Sequence, residues 1–275
     1  MSVFRPDMPR ARPCPEASAG RAEPPGLGAA VSLIALYFLL QAVAGGLIAL
    51  LIGLASGFVR IERGIRPVGA EMRAMLGQPG MPAILLMLTL GVLTAAIVPL
   101  VRREWPALWS MPQPPGFGMT WPTNRMFFVL AIAVGVAAQL LGGLLTALLA
   151  HGKNVPQDVL AVGARTPLGL RIALAVVVAS LGPLIEELLF RGVLLSALMR
   201  RWRVGWSVAI SALLFALVHL PGMQWQWYAL PDLALLAAAL AWLRLRTGSL
   251  WPAVLAHGLN NLLAVVVWFV AANAV

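Results

Sequence analysis

The sequence is short of charge. Only 11% of its 275 residues are Asp, Glu, Lys or Arg, where a soluble domain carries about 25%. No large soluble domain is compatible with that. It has a single cysteine, Cys14, so an intrachain disulfide and a cysteine-built metal cluster are both excluded. It has a single lysine, Lys153, among many arginines, a bias that suggests a GC-rich, bacterial genome. No repeat at a fixed period is visible, which argues against the repeated halves of many transporters. The HExxH helix of zinc proteases is missing. No two aspartates are placed as an acid-protease pair, since Asp232 stands alone behind Pro231. Ser180 and Ser211 lie in apolar stretches outside any nucleophile motif.

What the chain has in excess is apolar: 60% of its residues are hydrophobic, in recurrent runs of the roughly 20 residues that a membrane span needs. The expected fold is all-α, a polytopic membrane helix bundle. Seven spans are predicted, at about 29–58, 81–101, 126–150, 167–199, 204–220, 228–243 and 251–273, or eight if the fourth is split at Pro183. Three regions follow. Residues 1–26 form a Pro- and Arg-rich tail, expected to be disordered and not a signal peptide. Residues 27–160 hold the N-terminal spans with their connectors, a polar one at 61–80 and a Pro- and Trp-rich one at 102–125 that should lie along the interface. Residues 161–275 form a membrane core. Trp105, Trp109, Trp121, Trp202, Trp206, Trp225, Trp227 and Trp251 fall near span ends, as in an aromatic belt.

The net charge of +10 is spread over loops instead of one face, so it reads as topology and gives no reason to expect a nucleic-acid partner. With the N-terminus inside, twelve arginines fall on the inner side: Arg5, Arg10, Arg12, Arg21, Arg102, Arg103, Arg125, Arg200, Arg201, Arg203, Arg244 and Arg246. Seven basic residues fall outside: Arg60, Arg63, Arg66, Arg73, Lys153, Arg165 and Arg171. The predicted location is the plasma (inner) membrane, multi-pass, with a cytoplasmic N-terminus.

Against this apolar background a few polar residues stand out. After Glu104 the only acids are Asp158, Glu186, Glu187 and Asp232, and two of the three histidines, His219 and His257, lie in apolar stretches. An ionisable residue at mid-bilayer costs about 2.5–3.5 kcal/mol on insertion scales, so it faces the bundle interior and tends to have a use. In "GPLIEELLFRGVLL" Glu187 and Arg191 are i, i+4 and suited to an ion pair. Glu186 points about 100° away, so the two carboxylates cannot share one task. Glu187 reads first as the structural partner of Arg191. Glu186, left without a partner in its own helix, should face a polar cavity, where it can act as a general base. Gly182-Pro183 just upstream should interrupt the helix and free a backbone carbonyl. Phe215 with His219, and His257 with Asn261, are two more i, i+4 pairs. Each alone is compatible with a satisfied core group. Together they put Glu, two His and Asn on three helices, a set sufficient to activate water and to stabilise an oxyanion. Gly135, Gln139 and Gly143 share a face suited to close helix packing.

The motifs "EELLFR", "FALVH" and "HGLNN", in that order, resemble the EExxxR, FxxxH and HxxxN motifs of the CPBP family. These are the CAAX proteases and bacteriocin-processing enzymes, also known as Abi, which include the Ras-converting CAAX prenyl protease. The resemblance spans roughly 165–270 and implies that the core at 161–275 is catalytic. It implies an intramembrane endopeptidase acting on a membrane-associated or lipid-modified protein or peptide. In that scheme Glu186 and His219 activate water, His257 and Asn261 stabilise the oxyanion, and Glu187, Arg191 and Phe215 support the site. Members are often labelled metalloproteases. Any metal, zinc for instance, would then be held by Glu186, His219 and His257, and a metal-free glutamate mechanism is the alternative. The expected partners are a peptide substrate and membrane lipid. Two other classes remain open: a non-catalytic scaffold or immunity factor of the same fold, and a proton-coupled transporter.

Overall fold

The computed structural model describes residues 23–62, 74, 76–153 and 157–270. The described residues are helical or irregular, without a strand. The tail to residue 22 with Cys14, most of the 61–80 connector and the end of the last expected span, 271–273, lie outside them. So do Arg5, Arg10, Arg12, Arg21, Arg63, Arg66 and Arg73.

In chain order the helices are α1 (Leu27–Glu62), α2 (Met81–Glu104), α3 (Pro106–Trp109), α4 (Met126–Ala150), α5 (Asp158–Ala164), α6 (Leu168–Glu187), a π-helical segment (Leu188–Leu194), α7 (Leu195–Met199), α8 (Val204–His219), α9 (Leu230–Thr247), α10 (Trp251–Val265) and α11 (Val267–Val270). Among the described residues six stretches are long and apolar enough to cross a membrane: Leu27–Ala55, Met81–Glu104, Met126–Ala150, Leu168–Met199, Trp227–Thr247 and Trp251–Val270. The chain is a multi-pass helical membrane bundle.

Several expectations change. The split of the fourth span at Pro183 does not occur, because Leu168–Met199 runs through as one span. Proline is tolerated in a membrane helix where neighbouring helices meet the backbone group it frees. The irregularity lies just downstream instead, in the π-helical turns after Glu187. The expected 204–220 span is α8, a 16-residue helix of about 24 Å, short of the roughly 30 Å hydrocarbon core. His219 is its last residue, whereas the sequence placed it within the helix. Pro221 supplies no N–H to extend the ladder, and Gln224 and Trp225 take left-handed backbone that turns the chain back.

The largest core joins α1 (Leu33, Ile34, Tyr37), α2 (Leu93, Ile97, Val101), the connector after α2 (Leu108, Phe117), the π segment and Phe215 of α8. The connector at 102–125 is therefore partly core. It folds back on one end of the bundle, where buried Arg244 of α9 donates to the carbonyls of Pro112 and Gly116, both at 2.6 Å. Arg244, counted above as a loop charge, is a clamp. A second core of small residues joins α4, α9 and α10 through Ala131, Ala138, Leu240, Ala253 and Ala256. The glycine face of α4 is corrected here. Gly135 does meet the Ala256 carbonyl, but Gly143 faces open space and its neighbour Gly142 takes the close contact, against Asp232. Leu140, Leu144 and Leu148 of α4, and Leu39, Leu47 and Leu54 of α1, are exposed. That is the expected surface of helices solvated by lipid.

Candidate active site

Glu187 is the fully buried centre of the polar cluster. Its Oε1 lies 3.0 Å from Arg191 Nη1 and 2.8 Å from His257 Nδ1. The ion pair read from i, i+4 spacing is present, and the widened π turn still brings Arg191 to the carboxylate. The bond to His257 was not legible, because it joins residues 70 apart in sequence. It locks α10 to α6. A carboxylate only accepts, so His257 donates from Nδ1. In the neutral ring Nε2 is then a bare acceptor.

Arg191 also donates from Nη2 to the Ala237 carbonyl of α9, at 3.2 Å, and its guanidinium stands 4.4 Å from the centroid of Phe215. Phe215 is a platform. It is fully buried and packs edge-on to Phe190 at 5.1 Å. It lies 4.5 Å from the His219 ring and 5.7 Å from the His257 ring. Its own carbonyl accepts from His219 Nδ1 at 2.7 Å. So the FxxxH spacing does two jobs: the ring orders three site residues, and the backbone fixes the His219 tautomer with Nε2 bare.

Glu186 sits between the two imidazoles. Its Oε2 is 3.7 Å from His219 Nε2 and 3.8 Å from His257 Nε2. Those gaps are too long for direct hydrogen bonds and suit a bridging group. Side-chain exposure falls from 26% at His219 and 15% at Glu186 to 4% at His257 and 0% at Glu187. The cluster therefore opens at the end of α8 and closes towards α10. The two adjacent carboxylates have separate partners, as their angular offset required.

Asn261, one turn beyond His257, donates from Nδ2 to the Val178 carbonyl of α6 at 3.1 Å. The sequence had it and His257 aimed at one point. Here each has a donor committed to α6, and one amide N–H of Asn261 remains. Between them Gly258 meets the Ala179 carbonyl, and a Cβ there would collide with that oxygen. Ala179 is four residues before Pro183, so its carbonyl has no helical donor. Gly258 lets α10 lie directly on it. Sequence reading missed Gly258, although a glycine between His257 and Asn261, on a helix facing a proline helix, was an available signal. Among the described residues, then, Glu186, His219 and His257 converge, Glu187, Arg191 and Phe215 hold them, and Asn261 braces the α6–α10 contact.

A Glu carboxylate with two imidazole Nε2 atoms has the donor chemistry of a zinc site. Even so, no group of three or more His, Cys, Asp or Glu among the described residues is arranged to hold a metal ion.

Residues 168–263 match the family model described as type II CAAX prenyl endopeptidase Rce1-like. The match begins at the first residue of α6 and ends within α10, so it contains every residue of the cluster above. Neither a curated protein nor a solved structure matches the chain. The stretch from 168 to 263, which carries the three motifs on their own helices, is thus similar to the type II CAAX prenyl endopeptidases, within the CPBP group of CAAX proteases.

Proposed function

We propose that this protein is an intramembrane endopeptidase that hydrolyses a peptide bond in a membrane-associated or lipid-modified protein or peptide. The observation that carries the reading is the approach of two imidazole Nε2 atoms, from α8 and α10, to one oxygen of Glu186. A water there has an acceptor on each side. Glu186 takes one of its protons, while His219 Nε2 accepts a hydrogen bond from the other O–H and orients the molecule. The hydroxide attacks the peptide carbonyl carbon and the C=O electrons move to oxygen. His257, when protonated, and the remaining N–H of Asn261 donate to that oxyanion. Glu186 then passes its proton to the departing nitrogen, the C–N bond breaks, and an amine and a carboxylic acid leave, the acid giving its proton to water on release. Glu187 orients His257 and balances its charge.

The cluster opens at His219, the last residue of α8, an arrangement that suits a scissile bond presented from a membrane-anchored chain. The similarity to type II CAAX prenyl endopeptidases makes a prenylated C-terminal CaaX tail the first substrate to try. The tail arginines Arg5, Arg10, Arg12 and Arg21, with Arg102, Arg103 and Arg125 two spans on and so on the same side, favour a cytoplasmic N-terminus in a plasma-membrane setting. The testing experiment is Glu186→Gln in the purified, reconstituted chain, with a screen of prenylated and unprenylated peptides, metal analysis, and assays with and without chelator. The expected result is a folded protein with cleavage reduced by about 10²–10⁴-fold. Full activity in Glu186→Gln would remove the base and with it this mechanism, and would favour a scaffold or transport role for the cluster.

A further inference from the structure

The mechanism above is short of uncommitted donors. His257 Nδ1 is engaged by Glu187, and one Asn261 donor by the Val178 carbonyl. A free donor lies on a helix outside the matched segment. Tyr37 of α1 is fully buried, and its hydroxyl has no hydrogen-bond partner among the described residues. A buried phenol is costly to leave unpaired, so it is expected to have a partner in some working state.

Three observations bring Tyr37 close to the site. Tyr37 belongs to the same core cluster as Ile185, Leu189 and Phe190, which flank Glu186 in the chain, and Phe215, the platform. Its neighbour Phe38 packs edge-on to the His219 ring, with centroids 6.4 Å apart. The register agrees as well. Arg200, just past α7, donates to the Pro24 carbonyl at 2.8 Å and pins the start of α1 beside the end of the α6–α7 span. At about 1.5 Å per residue, roughly 13 residues in from Pro24 reaches Tyr37, and roughly 14 back from Arg200 reaches Glu186. The phenol also lies within electrostatic reach of the Glu186 carboxylate.

We infer that Tyr37 is a further catalytic residue, whose O–H donates to the carbonyl oxygen of the scissile peptide as negative charge develops there. This rests on the endopeptidase reading of Glu186. It gives α1 a role in the chemistry. A neutral O–H serves as donor without needing a protonated imidazole. It also accounts for an unpaired hydroxyl in the resting chain: the partner arrives with the substrate.

The test uses the full chain in liposomes, a quenched fluorescent peptide ending in a farnesylated CaaX sequence, and a phosphinic peptide whose tetrahedral anion mimics the intermediate. Tyr37→Phe is compared with wild type and Glu186→Gln. The expected result is a kcat about a hundred-fold lower with KM little changed, a matching loss of affinity for the phosphinic peptide, and a Tm equal to wild type or higher. Wild-type kcat in Tyr37→Phe, with Glu186→Gln inactive, would overturn the role of Tyr37 and leave the endopeptidase reading standing. Wild-type cleavage by Glu186→Gln would overturn the parent reading instead. A Tm clearly below wild type would show that the hydroxyl is bonded in the resting fold, and would overturn the inference whatever the activity.

Discussion

The span Leu168–Met199 has two halves of nearly equal apolarity and opposite surroundings. In the first half Leu168, Ile172 and Val176 are 62%, 51% and 61% exposed. In the second, every residue from Glu187 to Leu198 is buried. Lipid tails and protein interior are equally apolar solvents for a leucine, so hydropathy cannot tell the halves apart. The polar groups can. Glu186, Glu187 and Arg191 lie in the half wrapped by α1, α8, α9 and α10, where other side chains and backbone carbonyls answer them. The lipid-facing half has Ser180, which returns its hydroxyl to the Val176 carbonyl at 2.6 Å, and Arg171 near the helix start, which bonds the Thr166 and Trp268 carbonyls. In a membrane bundle the side that carries charge is the side that carries neighbours.

The contrast can be broken most sharply at Glu187. Replacing it by Ala leaves Arg191 buried and unpaired and removes the acceptor of His257, a loss on the order of 3–5 kcal/mol. Membrane yield should collapse and any recovered protein should melt early, so normal yield and Tm would contradict the ion-pair reading. A smaller effect is expected at Gly258, where Ala would press on the Ala179 carbonyl and push α10 from α6, at about 1–3 kcal/mol. A lowered Tm together with lost cleavage is the expected pair of readings. Gly143→Ala is the control, since it meets nothing within 4 Å and should leave Tm unchanged or raise it. The smallest effect is expected in the exposed half of the span. Val176→Ala should move stability by no more than about 0.5 kcal/mol, and a large drop in Tm would show that this face is packed against protein, not lipid.

Much of the polar cluster was legible in the sequence, for a local reason. Glu187 with Arg191, and Phe215 with His219, are one helical turn apart, and helix geometry alone brings such residues together. The scarcity of acids made Glu186 conspicuous. Long-range partners were hidden. Nothing in "HGLNN" says that His257 donates to Glu187, or that Asn261 spends a donor on Val178. Arg244 looked like an ordinary loop charge at the end of a span, because only the folded connector brings Pro112 and Gly116 to it. Tyr37, in a stretch of α1 with no motif, was invisible for the same reason. The π turns after Glu187 also had no sequence signal, and the proline expected to break the helix did not.

By itself the sequence determined a membrane helix bundle and the residue types available for hydrolysis, because hydropathy and one-turn spacing are properties of a single segment. Only the tertiary structure decided which nitrogen faces which oxygen, which glycine admits a neighbouring helix, and that Phe38 of α1 packs against the His219 ring. Those outcomes depend on the register of one helix against another, and register is set by packing between residues far apart in the chain.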